Sequence, residues 1–353
     1  MKQNEYIAPE RDLEGDGHQG QSDDMTGSRA DSTQLDILPF IGRLGASGTG
    51  YLPRNSYNED FLKALPDAAP LMTLSDQIAL RPFLTIGLWK AALMEGVGKQ
   101  NAVQIRCKKD DDAKFDQYTG SLMLVWVTVF ANSSPPVLPS QPTDRWGVFD
   151  NASFLGPLVG GALNFFYISM FIFCFGGVTG AHLNPTITIA TLFARLCSLP
   201  RAVLYVAFQT GGAALGGLLA RVAHGSRDFK TGGCWIYTDL VPVGDAFVIE
   251  FMTCLIMLFF AFGTGLDPRQ REIIGPTLGP FMVGISVASL SFGTGFVRYG
   301  YGGAGLNPAR CFGSYVGSRF PDFHWVHWTA DILACAIHAG FYHLVPPWKG
   351  KPE

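Results

Sequence analysis

Two segments of the chain repeat one pattern, "GAHLNPTIT" over residues 180–188 and "GAGLNPARC" over residues 303–311. Each sets an asparagine directly before a proline, Asn184-Pro185 and Asn307-Pro308, and the second adds Arg310 and then Cys311. Upstream of each stands a glutamate in an apolar stretch, Glu95 in "ALMEG" and Glu250 in "FVIEF". Carboxamides donate and accept hydrogen bonds without carrying charge, and a guanidinium is a fixed cation. Such groups bind and steer polar molecules but do not turn them over. The glutamates could serve acid–base work, but nothing else points to a proton-transfer substrate. We read them as acceptors for backbone N–H groups that would otherwise be buried unpaired. His182, inside the first segment, reads as a hydrogen-bonding loop residue. No clustered Ser/His or His/Asp set accompanies these groups, which argues against an enzyme.

Metal and redox chemistry have little support. His324, His327, His338 and His343 crowd the C-terminal stretch, but no carboxylate or cysteine pattern goes with them. Interface histidines are the better reading than a metal site, and neither metal nor cofactor is expected. The seven cysteines are odd in number and scattered, so a disulfide framework is not expected. Cys311 is either a small packing residue behind Arg310 or a thiol open to oxidants.

The elements that must hold these groups are apolar. The 353-residue chain is 48% hydrophobic and 16% charged, against about 25% charged in an ordinary soluble domain. Its net charge of −3 points to no nucleic-acid partner. Runs near the length of a bilayer span lie at 156–175, 202–222, 246–266, 278–297 and 326–345. A sixth, over 85–98 and 121–131, is broken by a polar stretch. Two half-length runs, 183–196 and 305–316, open at the Asn-Pro pairs. Gly212 and Gly216 read as close helix packing.

Each half of the chain therefore reads as a span with a glutamate, a second span, a half-helix and a third span. Three spans per half is an odd number, so the halves enter the membrane in opposite senses, as an inverted repeat. Proline suits the first position of a helix and asparagine its cap. Irregular backbone at membrane depth must be buried in protein or line a wet cavity. The half-helices must then meet inside the bundle, positive ends facing each other. Arginine at that depth needs water or a partner. Asn184, Asn307 and Arg310 would line a pore that passes neutral hydrogen-bonding solutes and repels cations and protons. The asparagines could instead only cap the half-helices, and Arg310 could be a structural ion partner; duplication of the motif favours the pore.

The paired boxes, the paired glutamates and the span plan resemble the major intrinsic protein family, the aquaporins and aquaglyceroporins, over residues 84–346. The first box, reading Asn-Pro-Thr, and Cys311 directly after Arg310 are similar to the X intrinsic protein subfamily. The resemblance implies an all-α membrane protein, with six transmembrane helices and two re-entrant half-helices in an inverted repeat. It also implies a homotetramer with one pore per subunit. Its filter would take one residue from the second span, one from the fifth and two from the second re-entrant loop. Counting from the boxes gives Asn164, Gly295, Ala304 and Arg310, although a difference in loop length would shift Gly295. Small and polar side chains there, with no aromatic or histidine, imply a wide constriction. Glycerol, urea or hydrogen peroxide would pass, with water able to follow. The alternative is a non-conducting membrane protein of the same fold, its first span disrupted.

Three features lie outside that plan. Residues 1–80 read as a disordered cytoplasmic tail and 347–353 as a short second one; residues 1–35 are polar and rich in Asp, Gly and Ser, with no cleavable leader. Glycosylation patterns at Asn132-Ser133-Ser134 and Asn151-Ala152-Ser153 mark the loop after the first span as outside. Both termini are then cytoplasmic, and the plasma membrane is the expected location. Finally, residues 99–120, "KQNAVQIRCKKDDDAKFDQYTG", fit no lipid-facing helix, because they hold Lys108, Lys109, Asp110, Asp111 and Asp112. Glu95 and Asn184 are 89 residues apart, but Glu250 and Asn307 only 57. Excising 22 residues brings the first separation to 67 and restores the run "ALMEGVGSLMLVWVTVF". Gly98-Lys99 can be encoded with a splice donor and Thr119-Gly120 with an acceptor, in frame. The segment therefore reads as an intron retained in the gene model; the alternative is a genuine insertion that loops out.

Overall fold

A computed structural model describes residues 39–44, 52–97, 120–134, 155–295 and 297–344. Residues 99–119 of the polar stretch, Asn151, and the chain ends 1–38 and 345–353 lie outside the described residues.

The helices, in order, are α1 (Glu59–Ala64), α2 (Leu74–Ile78), α3 (Ile86–Val97), α4 (Ser121–Asn132), α5 (Leu155–Gly176) and α6 (Pro185–Phe193). They continue as α7 (Leu199–His224), α8 (Val243–Ala261), α9 (Pro268–Thr294), α10 (Pro308–Gly317) and α11 (Trp325–Leu344). A π-helical turn, Phe262–Leu266, ends α8, and α9 kinks at Gly275. Strands β1 (Ser133–Ser134) and β2 (Lys230–Thr231) pair antiparallel, Ser133 opposite Thr231.

By length and composition, four helical stretches among the described residues can cross a membrane: Gly156–Gly176, Leu199–His224, Val243–Leu266 and Thr277–Thr294. The 20-residue α11 is less apolar because it carries His327, Asp331 and His338, all of them buried. Large apolar side chains such as Phe166, Met170, Val248, Phe259 and Ile285 are exposed on the outer faces of these helices. A helix bundle with apolar outer faces and charged side chains such as Glu95, Glu250 and Asp331 buried inside suits a bilayer as solvent. The chain is an integral membrane protein.

The halves interlock. Half-helix α6 packs on α11 and half-helix α10 on α7, so each is gripped by the last long helix of the other half. The α7–α10 contact is backbone against backbone. A Cβ added to Gly217 would lie 1.8 Å from the Gly313 carbonyl oxygen, and one added to Gly317 would lie 2.2 Å from that of Gly217. Small residues are what allow helices to approach so closely. Helices α5 and α9 run antiparallel, with Gly161 against Phe292 and Gly284 against Ser169.

Part of the segment expected to be a tail is folded. Phe40, Ile41, Arg43 and Leu44 are buried, and Leu62, Leu65, Ala68 and Ala69 form a small core of their own. The anchor is Asp67, fully buried, which accepts from Arg201 Nε at 2.8 Å, Arg201 Nη2 at 3.0 Å, and the Ser198 backbone N–H and hydroxyl. A polar composition suggested disorder because each charge was counted without its distant partner.

Burial pushes the Asp67 carboxyl up, but Arg201 and Ser198 outweigh it and hold the group below its ordinary range. A carboxylate depressed in the folded state stabilises above its unfolded pKa of about 4 and loses that contribution as pH falls through the folded value. Asp67→Asn should therefore cost about 3 kcal/mol near neutrality, since it leaves Arg201 buried without its anion. The gap in melting temperature between native protein and variant should narrow below about pH 4. Parallel melting curves at all pH values would refute this.

Candidate functional site

The two half-helices begin where their prolines sit, and the asparagines cap them. The Asn184 Oδ1 accepts from the Thr186 N–H at 2.9 Å, and the Asn307 Oδ1 from the Arg310 N–H at 3.1 Å. Each amide nitrogen then crosses to the other half. Asn184 Nδ2 donates to the Leu306 carbonyl at 2.7 Å, and Asn307 Nδ2 to the Leu183 carbonyl at 3.0 Å. An amide nitrogen has two N–H bonds, so each retains one beyond this crossing bond. The asparagines thus cap and also face one another's loops.

Leu183 and Leu306 hold left-handed backbone, with φ of 50° and 58°. A leucine rarely adopts it, and it persists only where its surroundings over-determine it. Here both ends of each residue are tied. The Leu183 N–H donates to Glu95 Oε2 at 2.6 Å, and the Leu306 N–H to Glu250 Oε1 at 2.7 Å. Their carbonyls receive the opposite asparagine. Glu95 also accepts from the His182 N–H, the Thr179 hydroxyl and Gln209 Nε2; Glu250 also accepts from the Gly305 N–H and the Tyr301 hydroxyl. His327 Nδ1 lies 3.4 Å from Glu250 Oε1.

Arg310 is 8% exposed and donates to the carbonyls of Gly232 at 3.2 Å and Gly305 at 3.2 Å. Cys311 is joined to Cys234 in a disulfide, contrary to the expectation of free, scattered thiols. The bond ties the 232–234 loop, which holds Arg310, to the half-helix that carries it. Neither a packing thiol nor an oxidant-sensitive one is present at position 311 in this state.

One cavity is lined by Asn184, Asn307, Arg310, Asn164, Ala304 and His182 together. Its polar lining adds Thr128, Ser286 and Ser291; its apolar lining includes Leu124, Ile168, Ile172, Ile187 and Val287. Among the described residues no acidic one lines it. Gly295 does not reach it: a Cβ there would meet Pro157 at 3.1 Å. The cavity-facing register of α9 runs Val283, Val287, Ser291, and the helix ends at Thr294, so position 295 lies one residue past the last turn. Ser291 is the last α9 residue that lines the cavity. Thr294 instead accepts the Ala304 N–H at 2.9 Å through its hydroxyl.

Two more residues escaped the sequence. Thr128 lines the cavity, and Asn132 Nδ2 donates to the Thr128 carbonyl at 2.8 Å and to Asn164 Oδ1 at 3.3 Å. Asn132 belongs to a glycosylation pattern, yet its amide is turned inward. The signal was a pair of polar residues one turn apart on an apolar helix. The C-terminal histidines do not converge: His327 Nε2 lies 3.0 Å from the Cys234 carbonyl, His338 packs on Phe259 and Phe262, and His343 donates to Phe193.

Comparison with known proteins agrees in kind. Aquaporin PIP2-1 of Arabidopsis thaliana is 31% identical over 182 residues, 50% of this chain and 61% of that one. Probable aquaporin PIP2-5 of the same plant is 27% identical over 239 residues, 64% of this chain and 78% of that one. The match thus spans about six-tenths of the first relative's length. Among solved structures, the X-ray structure of the aquaglyceroporin from Plasmodium falciparum aligns at 18% identity over 74% of this chain and 96% of that chain, with a TM-score of 0.45. Residues 151–343, more than half of the chain, match the major intrinsic protein family, and the chain belongs to it.

Proposed function

We propose that the protein is a passive channel for small uncharged solutes, glycerol, urea and hydrogen peroxide among them, with water following. The observation that carries this is the shared cavity: two facing carboxamides, one arginine, no acid among the described lining residues, and apolar side chains between them. A solute sheds water only where replacement partners exist, and here they alternate with apolar side chains along the same helices, Thr128 with Leu124, Asn164 with Ile168 and Ser291 with Val287. Arg310 and the opposed positive ends of α6 and α10 repel cations and protons. The filter level, Asn164, Ser291, Ala304 and Arg310, contains no aromatic ring, which favours solutes wider than water.

On its two boxes the chain stands nearest the X intrinsic proteins. Homotetramers, plasma-membrane residence and cytoplasmic termini are part of the same proposal. Asn151 is the remaining glycosylation marker for that orientation, since the Asn132 amide is engaged inside. The broken first span, which favoured a non-conducting protein, keeps Glu95 in place on the first re-entrant loop.

Liposome swelling with each solute tests the channel, using the native chain and Leu44→Ala, which trims a side chain at one end of the cavity. All three solutes should outrun bare lipid, with no proton leak by an internal pH dye. Arg310→Val should keep solute flux and add a proton or cation leak. No flux from either chain would end the proposal.

A further inference from the structure

The two mouths of the cavity differ. Helix α5 runs from Asn164, level with Arg310, to Gly176, and α9 returns from Val283 to Ser291, so Gly176 and Val283 mark the mouth remote from Arg310. Residues 40–44 cross that mouth. On one side the Leu44 N–H donates to the Gly180 carbonyl at 2.8 Å, and His182 Nε2 donates to the Gly42 carbonyl at 2.6 Å. Both acceptor and donor belong to the first re-entrant loop. On the other side the Leu44 carbonyl lies 3.3 Å from where a Gly265 Cβ would sit, beside Val283. The Leu44 side chain is 3% exposed and lines the same cavity as Asn184 and Asn307.

The crossing is pinned along its length. Arg43 donates to the carbonyls of Gly176 at 3.1 Å, Gly177 at 2.7 Å and Phe40 at 3.1 Å. Phe40 lies under the Arg201 guanidinium, 4.2 Å from its ring centroid. Gly42 is required by close approach, since a Cβ there would meet the Leu196 carbonyl at 2.7 Å. The Ile41 N–H donates to the Asp67 carbonyl at 2.9 Å, which joins the strap to the folded 52–84 segment. A solute leaving the asparagine pair on this side meets Leu44. At the arginine mouth the position related to His182 by the repeat is Gly305, which has no side chain to hold a strap.

We propose that the mouth remote from Arg310 is a binding site for the chain's own segment Phe40–Leu44, and that solute passes only when this segment withdraws. The segment binds in the path of the solute, so its occupancy sets the rate, and weakening its contacts raises the rate. The proposal rests on the channel reading above.

Full-length native protein, Arg43→Ala and Leu44→Ala are compared in liposomes at equal protein content, by urea and glycerol swelling. Arg43→Ala releases the pins and Leu44→Ala trims the side chain in the path. Both should swell about threefold faster or more, as a population shift toward the open mouth requires. A merely structural role would lower flux in both. Equal or reduced flux in the variants, with a conducting native chain, overturns the strap and leaves the channel standing. No flux in any of the three overturns the channel and the strap with it.

Discussion

Glu250→Ala is expected to pass no solute, and Glu95→Ala the same. Each carboxylate receives two consecutive backbone N–H groups from a re-entrant loop, His182 and Leu183 at Glu95, Gly305 and Leu306 at Glu250. Those N–H groups have no other partner among the described residues, in a segment too irregular for helical bonding. Each buried donor left unpaired costs about 1–3 kcal/mol. The loss is then several kcal/mol, against a total of about 5–15 for a typical protein. The leucine that loses its acceptor also holds left-handed backbone, and its carbonyl anchors the opposite asparagine. A change at Glu250 therefore loosens Asn184, in the other half of the chain. Glutamine is the informative intermediate: it keeps one acceptor oxygen and turns an NH₂ on the second N–H, so it should retain partial flux. The readouts are swelling rate and melting temperature of the purified protein. Alanine variants that conduct at the native rate would remove the glutamates from the account of the site.

How much of this was visible in the sequence depends on the range of each interaction. The half-helices were legible because proline at the first position and asparagine at the cap are local signals, and the duplication pointed to a pair. The glutamate roles followed from a general need: irregular buried backbone requires acceptors. Gly295 failed because counting from the boxes carries no information on where α9 stops, and the helix ends one residue short of it. The folded 52–84 segment failed because Asp67 and Arg201 are 134 residues apart and read separately as solvated charges. The Cys234–Cys311 disulfide, 77 residues apart, was hidden by an odd cysteine count. The strap over the remote mouth was hidden for the same reason: "FIGRL" has no periodicity, and its partners are mostly backbone carbonyls far along the chain.

Removing residues 99–120 should leave a protein that is more stable and conducts at least as well. The positions of the flanking residues argue for this. Gly120 sits over the last turn of α3: a Cβ on it would lie 2.8 Å from the Met94 carbonyl and 3.0 Å from that of Glu95. That is the place the fourth residue after Met94 takes in an unbroken helix, so Gly120 stands where Gly98 would stand with Ser121 directly after it. The partner helix repeats the message. On α7, Gly212 meets the Gly96 carbonyl and Gly216, one turn on, meets that of Leu122. Excision makes Gly96 and Leu122 likewise one turn apart. Helices α3 and α4 thus trace a single span, broken at the depth of Glu95. The first residue of α4 has no side-chain cap before it, and the break falls where each unpaired backbone group is most costly. Joining the two pieces restores several helical hydrogen bonds at about 1 kcal/mol each, and shortening the loop adds little by comparison. The melting temperature should rise by about 5 °C or more. An intron retained in the gene model further requires that the dominant message lack these codons, which transcript sequencing reads directly. If the shortened protein aggregates or stops conducting, the segment is a working part of the span, and α3 and α4 are separate helices that merely lie end to end.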